Sequence, residues 1–371
     1  LIELHVESNG HYSLASRPQI MSFWLQGRRR RVPVALPTEV DIVVIGSGLS
    51  GASCAYHLCR DGTGIIANRG GVNTKRDNVL LLDAREEVAG AATGRNGGLL
   101  HAASWWDIPK LARQHGLMTA CRYVQFEQAN RRALREYCAG REDELVRDVP
   151  CLKVFEKAAP FDAAVGFWQA QIWRAPLAFF GLEFLATSSE ARAAIALRPP
   201  RGSNGEETRD GHEGEEARST RAVRLRGAVD SIWAARVAQR LVLEAEEMGA
   251  RVATSARVVS AVDEGESEES GVLLTVEGVG VIGGRATVRA QRVVHCTNAA
   301  APALLPRLRG CIVPVRNHLV ATAPLPPLLP TVLSTAAPAA RSSTGGGGEF
   351  LLFILISCMT EFFINLMLFL N

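Results

Sequence analysis

The stretch DIVVIGSGLSGASCAYHL, Asp41 to Leu58, constrains the fold more than any other part of the chain. Val40 to Ile45, apolar but for Asp41, is a run ending in glycine, as a strand buried on both faces of a parallel sheet reads. Gly46, Gly48 and Gly51 follow in the spacing G-x-G-x-x-G and open a helix rich in small residues. Gly46 permits the tight turn, Gly48 leaves room for a pyrophosphate against the backbone, and Gly51 lets the helix pack on the strand. The helix N-terminus favours the anionic group. VLLLDAR, 79–85, supplies a second buried strand ending in Asp83, a carboxylate placed to accept from ribose hydroxyls. Asp83 comes late for this role, and the polar, glycine-rich loop 61–78 accounts for the excess. The unit is a β-α-β dinucleotide binder. The alternative is a glycine-rich strand-to-helix turn of some other α/β protein.

Composition agrees with a globular chain. Its 371 residues suffice for two domains, and 47% hydrophobic content allows a sizeable core. A net charge of +3, with no basic stripe interleaved with aromatics, speaks against a nucleic-acid partner. The eight cysteines form no C-x-x-C pair, which argues against structural zinc and for reduced thiols in an intracellular compartment.

Residues 109–140 have helical composition. The segment 198–220 is charged and poor in apolar residues, so an exposed, disordered insertion is expected. SIWAARVAQRLVLEAEEMGA then reads as an amphipathic helix ending at Gly249. RVATSARVVSAV reads as a strand pair or one long strand, and GVLLTVEG and ATVRAQRVVHCTNA as further strands.

The next motif bears on which nucleotide is bound. After Asp83 comes GAATGRNGG, 90–98. DIVVIGSGLSGASCAYHL, LLLDAR and GAATGRNGG together resemble the D-amino-acid-oxidase-like family of FAD-dependent oxidoreductases. In that family the third motif runs beside the FAD pyrophosphate towards the flavin. The resemblance implies FAD as cofactor, with Gly46, Gly48, Gly51, Asp83, Ala84, Arg85, Thr93, Gly94, Arg95, Asn96, Gly97 and Gly98 around it. The chemistry of the loop suits that role: Gly94, Gly97 and Gly98 allow close backbone approach, Thr93 and Asn96 offer hydrogen bonds, and Arg95 can meet phosphate charge.

RGAVDSIWAARVAQRLVLEAEEMGARVATSARVVSAV resembles the family's helix and following strand, which puts the Val258 backbone at the adenine. RVVHCTNAAAP resembles the strand returning to the FAD domain, with Thr297 to Ala299 at the dinucleotide. IVPVRNHLVAT, 312–322, resembles the start of the next substrate-domain section, and HGLMTACRYVQFEQANRRALREY, less specifically, the helices after the FAD loop. The resemblance covers about 40–150 and 225–325. It implies an α/β fold: a Rossmann-like FAD-binding domain with a mixed-sheet substrate domain, truncated in its C-terminal part. It also implies oxidation of a C–N bond of an amine or amino acid by hydride transfer to flavin N5.

The expected organisation is an N-terminal extension, 1–39; the FAD-binding part with a helical section, 40–150; and a substrate-domain part, 151–224, carrying the insertion. Helix and strands then return to the FAD domain, 225–311, and 312–330 starts a second substrate-domain section. A low-complexity linker, 331–349, and an apolar tail, 350–371, complete the chain. The family continues further, with more substrate sheet and a closing segment over the flavin. A second reading is therefore a non-catalytic or truncated nucleotide-binding remnant. The tail is long enough to span a bilayer, but Glu361 and Asn365 interrupt it. It is either a membrane tether or translated non-coding sequence, and a membrane partner is expected only if it is genuine.

Met21 is a candidate start, and the expected location is the cytoplasm, with a mitochondrial presequence as a weaker alternative. No catalytic residue or metal ligand is assigned. His101 is either a covalent flavin attachment point or an ordinary polar residue. Trp105 and Trp106 line a substrate cavity or fill core. Arg316 and His318 face an amino-acid substrate or solvent, and Arg28 to Arg31 read as a solvated run.

Overall fold

A computed structural model describes residues 4–6, 12–14, 22–25, 31–61, 78–101, 108–146, 148, 151–155, 158–171, 182–185, 221–225, 229–265, 271–312, 318–321 and 353–356. In chain order the strands are β1 (Leu4–Val6), β2 (Tyr12–Leu14), β3 (Glu39–Ile45), β4 (Val79–Leu82), β5 (Leu99–His101), β6 (Leu145–Val146), β7 (Cys151–Phe155) and β8 (Leu182–Leu185). They continue as β9 (Arg221–Leu225), β10 (Val229–Ile232), β11 (Arg251–Ala253), β12 (Arg257–Asp263), β13 (Val272–Glu277), β14 (Arg285–His295), β15 (His318–Ala321) and β16 (Phe353–Ile356). The helices are α1 (Leu49–Asp61), α2 (Ile108–His115), α3 (Leu117–Tyr137), α4 (Ala158–Gln171), α5 (Ala234–Glu247) and α6 (Ala301–Leu304). Two compact units divide them: 1–96, 234–318 and 356–371 form the first, 97–233 and 319–355 the second.

The first unit is built on a six-stranded sheet in the order β11-β4-β3-β14-β13-β12. β11, β4, β3 and β14 run parallel to one another, and β14, β13 and β12 form an antiparallel meander. The two halves share one strand. Arg285–Ala290 of β14 pairs with β13, and Arg289–His295 pairs with β3. The apolar runs seen in the sequence are the inner strands. All four residues of β4 are fully buried, as parallel strands covered on both faces must be. Each such leucine contributes about 1.5–3 kcal/mol.

Ala52, Ala55 and Cys59 of α1 are buried at helical spacing, and α1 packs on β3, β4 and α5. The buried face of α5, including Val237, Ala238, Leu241 and Ala245, has the same period. Across the sheet, Val43, Ile45, Leu80, Leu82, Val276 and Val288 belong to one core cluster.

Several boundaries differ from the sequence reading. β4 stops at Leu82, because Asp83 turns its carboxylate to the glycine loop. RVATSARVVSAV divides at Ser255, whose φ of +50° ends β11 before β12 begins. SIW belongs to β10 and its exit, so the helix begins at Ala234. The helical stretch 109–140 is broken at Gly116, with φ of +82°.

In the second unit, β5, β10 and β6 form one antiparallel sheet and β7, β9 and β8 another. The buried stripe of α3 runs through Ala120, Val124 and Arg131. The insertion 198–220, most of the loop 61–78 and the linker 331–349 lie outside the described residues, as does the apolar tail apart from β16. Among the described residues no helix is long and apolar enough to cross a membrane.

Candidate functional site

The end of β3 turns at Gly46, with φ of +105°, where L side chains are strained. A Cβ there would lie 2.5 Å from the Cys296 carbonyl oxygen, and a Cβ at Gly51 would lie 1.8 Å from the Gly46 carbonyl oxygen. Both glycines are therefore fixed by backbone contacts of the turn. Gly48 differs: its nearest neighbour would be the Thr93 hydroxyl, at 3.1 Å.

That hydroxyl has a definite task. Thr93 Oγ1 accepts the N–H of Leu49, the first residue of α1, at 3.0 Å, and so caps the helix from another loop. A hydroxyl that accepts in this way keeps its own proton for a further hydrogen bond. Thr93→Val is expected to cost about 1 kcal/mol, as lost helix caps do, read as a lower urea midpoint.

Asp83 Oδ2 accepts from Ser47 N–H at 2.7 Å and from Ser47 Oγ at 2.5 Å, and Oδ1 from Arg85 N–H at 2.8 Å. The carboxylate thus ties the glycine turn to the end of β4. An ionised carboxylate has about four acceptor positions, and these bonds use three. Burial pushes the Arg85 guanidinium pKa down, Asp83 pushes it up, and Arg95 pushes it down. Two cations therefore share this corner.

Arg95 Nε donates to Gly90 O at 3.2 Å, and Asn96 Nδ2 donates to Thr93 O at 2.5 Å. The loop Ala92–Asn96 is thereby folded on itself. Gly94 is buried, in a notch between Ala89 O and Leu25. Gly97 and Gly98 fall in the second unit, where Gly98 O accepts from Ile232 N–H at 2.8 Å.

Val258 is buried in the core and pairs with Val276, and the register shifts between Val258 and Ser260. Val259 there lines an open depression of about 620 Å³ with Ala84, Ser255, Arg257 and Glu277. Ala84 and the strand around Val258 thus meet at one surface.

Thr297 follows Cys296, which backs Gly46, and its buried Oγ1 has no hydrogen-bond partner. His295 Nδ1 is also buried without one. Burial, then nearby Arg307, pushes the His295 pKa down. The Cys296 thiol is pushed up to about 11 by burial and by Cys54, so it stays neutral. An orphaned Thr297 hydroxyl beside a glycine turn that leads into a helix N-terminus fits a dinucleotide pyrophosphate. Among the described residues no cluster of His, Cys, Asp and Glu is arranged to hold a metal ion.

Sequence reasoning missed Ser47, Cys296 and the residues before β3. Arg31, read as part of a solvated run, is corrected: it pairs bidentately with Glu246 at 2.5 and 2.6 Å, because α5 packs where the N-terminal segment passes. Arg28 to Arg30, Trp105, Trp106 and Arg316 lie outside the described residues, and so do the side chains of His101 and His318.

The sequence model of the family described as FAD dependent oxidoreductase (DAO) matches residues 41–351. The chain belongs to this family. The match begins just ahead of the glycine turn and takes in the loop 90–98 and the strands that follow. No curated protein matches the chain in sequence.

Among solved structures, glycine oxidase from Geobacillus kaustophilus is 17% identical, with a TM-score of 0.52 over 86% of this chain and 72% of that one. L-amino acid deaminase from Proteus vulgaris, lacking its specific insertion, is 14% identical, with a TM-score of 0.50 over 81% of this chain and 63% of that one. At these identities the likeness shows the fold: mixed α/β, as expected from the sequence. The chain spans 63%, 52% and 55% of the lengths of three L-amino acid deaminase structures that it resembles.

Proposed function

We propose that this chain forms the dinucleotide-binding part of a flavoenzyme that oxidises the C–N bond of an amine or amino acid. The observation that carries this reading is the turn at Gly46, backed by Cys296 and followed by the capped N-terminus of α1. Bound FAD would supply the two-electron acceptor, at flavin N5.

The chain's own residues do the holding. Gly46, Gly48 and Gly51 let the backbone approach the pyrophosphate, and Thr93 and Thr297 donate hydroxyl protons to its oxygens. Arg95 supplies charge, with Gly94, Asn96, Gly97 and Gly98 shaping the loop beside it. Asp83, Ala84, Arg85 and the Val258 backbone take the adenosine end. Family membership supports FAD over a nicotinamide nucleotide. The names of glycine oxidase and L-amino acid deaminase support an amino acid or related amine as substrate. The cytoplasm is the proposed compartment, on the cysteine pattern.

The test is the visible spectrum of the full chain produced with excess riboflavin. Flavin bands that survive desalting and leave on denaturation are expected, followed by flavin bleaching with one member of an amine and amino-acid panel. A folded but colourless protein would overturn the reading.

A further inference from the structure

We infer, on the basis of the proposed FAD cradle, that Ser22, Trp24 and Leu25 form a strap that holds the cofactor loop in its binding shape. The segment before β3 would then be a working part of the dinucleotide site.

Three side chains of one short turn reach the same loop. Ser22 Oγ donates to Gly94 O at 2.5 Å, and Trp24 Nε1 donates to Asn96 O at 2.6 Å. Leu25 is 1% exposed and fills the space that a side chain at position 94 would need, since a Cβ there would lie 2.7 Å from Leu25 Cδ2. The strap thus satisfies two carbonyls, one at the end of the 3-10 turn Ala92–Gly94 and one just after it, outside any strand ladder. The same loop carries Thr93, whose hydroxyl caps α1. A physical chain therefore runs from Trp24, through Asn96 and its side-chain bond to Thr93, to the helix N-terminus that would receive the pyrophosphate.

The strap has its own anchor. Its turn packs on α5, and Arg31 pairs with Glu246 of the same helix. It lies outside the family match, which begins at residue 41. Ser22, Trp24 and Leu25 are positioning residues: they act on the cofactor through Thr93 and the loop.

The test uses the full chain with Trp24→Phe, which keeps an aromatic ring and removes the N–H, and with Ser22→Ala. Two quantities are read: amide hydrogen exchange over 92–96 without FAD, and FAD affinity by flavin fluorescence titration. Loss of one such bond is expected to speed exchange in this loop about tenfold and to weaken FAD about tenfold, while α1, α5 and β14 keep their protection.

Unchanged loop exchange overturns the strap. So does exchange that rises equally through the whole unit, which marks a purely structural role. Faster loop exchange with unaltered FAD affinity overturns its link to the cofactor. If the unaltered protein binds no FAD, the proposed function fails, and the strap is decided by exchange alone. If Trp24→Phe does not fold, Ser22→Ala decides both.

Discussion

Gly51→Ala is expected to yield protein without bound FAD, with the first unit destabilised by about 3 kcal/mol or more. The added Cβ would stand 1.8 Å from the Gly46 carbonyl oxygen and 2.9 Å from its carbon. Both are backbone atoms, so no rotamer change relieves the contact. Gly46 cannot retreat, because it already lies against the Cys296 carbonyl. The remaining escape is to lift α1 from β3, and α1 is held between the sheet and α5. Lifting it also takes Leu49 N–H away from Thr93. Gly48→Ala makes the informative contrast. Its Cβ would meet only the Thr93 side chain, at 3.1 Å, which can give way. It should therefore lose FAD with little loss of stability. Urea midpoints and the ratio of flavin to protein absorbance decide both cases. A Gly51→Ala protein with the unaltered midpoint and flavin content would show that α1 and β3 do not meet as described.

The β-α-β unit was legible because its signals are local. An apolar run, three glycines and a following strand each act within a few residues of themselves. The hydrogen bonds that give the site its shape are not local. Ser47 meets Asp83 across 36 positions, Leu49 meets Thr93 across 44, and Trp24 meets Asn96 across 72. Each depends on loops that only the finished sheet brings together. Asp83 shows the consequence. Its place at the strand end was legible, but its bonds to Ser47 were not. Arg31 was misread for the same reason, since its partner Glu246 lies 215 positions away.

One distant pair did leave a usable signal. Arg131 and Arg135 are like charges four residues apart on one helix face, an unfavourable pair that calls for a counter-charge. Their shared partner is Asp230, on β10.

Asp230→Ala is expected to destabilise the second unit by about 3–5 kcal/mol, as removing one partner of a buried ion pair does. The Asp230 side chain is fully buried. It accepts from Arg131 Nε at 2.7 Å and Nη2 at 3.0 Å, from Arg135 Nε at 2.8 Å and Nη2 at 2.5 Å, and from Asp148 N–H at 2.9 Å. Without it, two guanidinium groups would face each other with Asp148 as their shared carboxylate. Burial pushes the Asp230 pKa up, but the bonds from Arg135, Arg131 and Asp148 outweigh burial and hold it below the ordinary carboxylate value. A carboxyl group depressed in the folded state contributes stability that is complete above its unfolded pKa. That contribution is lost as pH falls through the folded value. The unaltered protein should therefore lose stability on the acid side, and Asp230→Ala should flatten that limb while lowering the plateau at neutral pH. Urea unfolding at a series of pH values measures both, with amide exchange in α3 as the local readout. An acid limb unchanged by the substitution would assign it to other carboxylates. A neutral plateau unchanged by it would mean that Asp148 alone can hold both arginines, and that the clamp between α3 and the β5-β10-β6 sheet contributes little to stability.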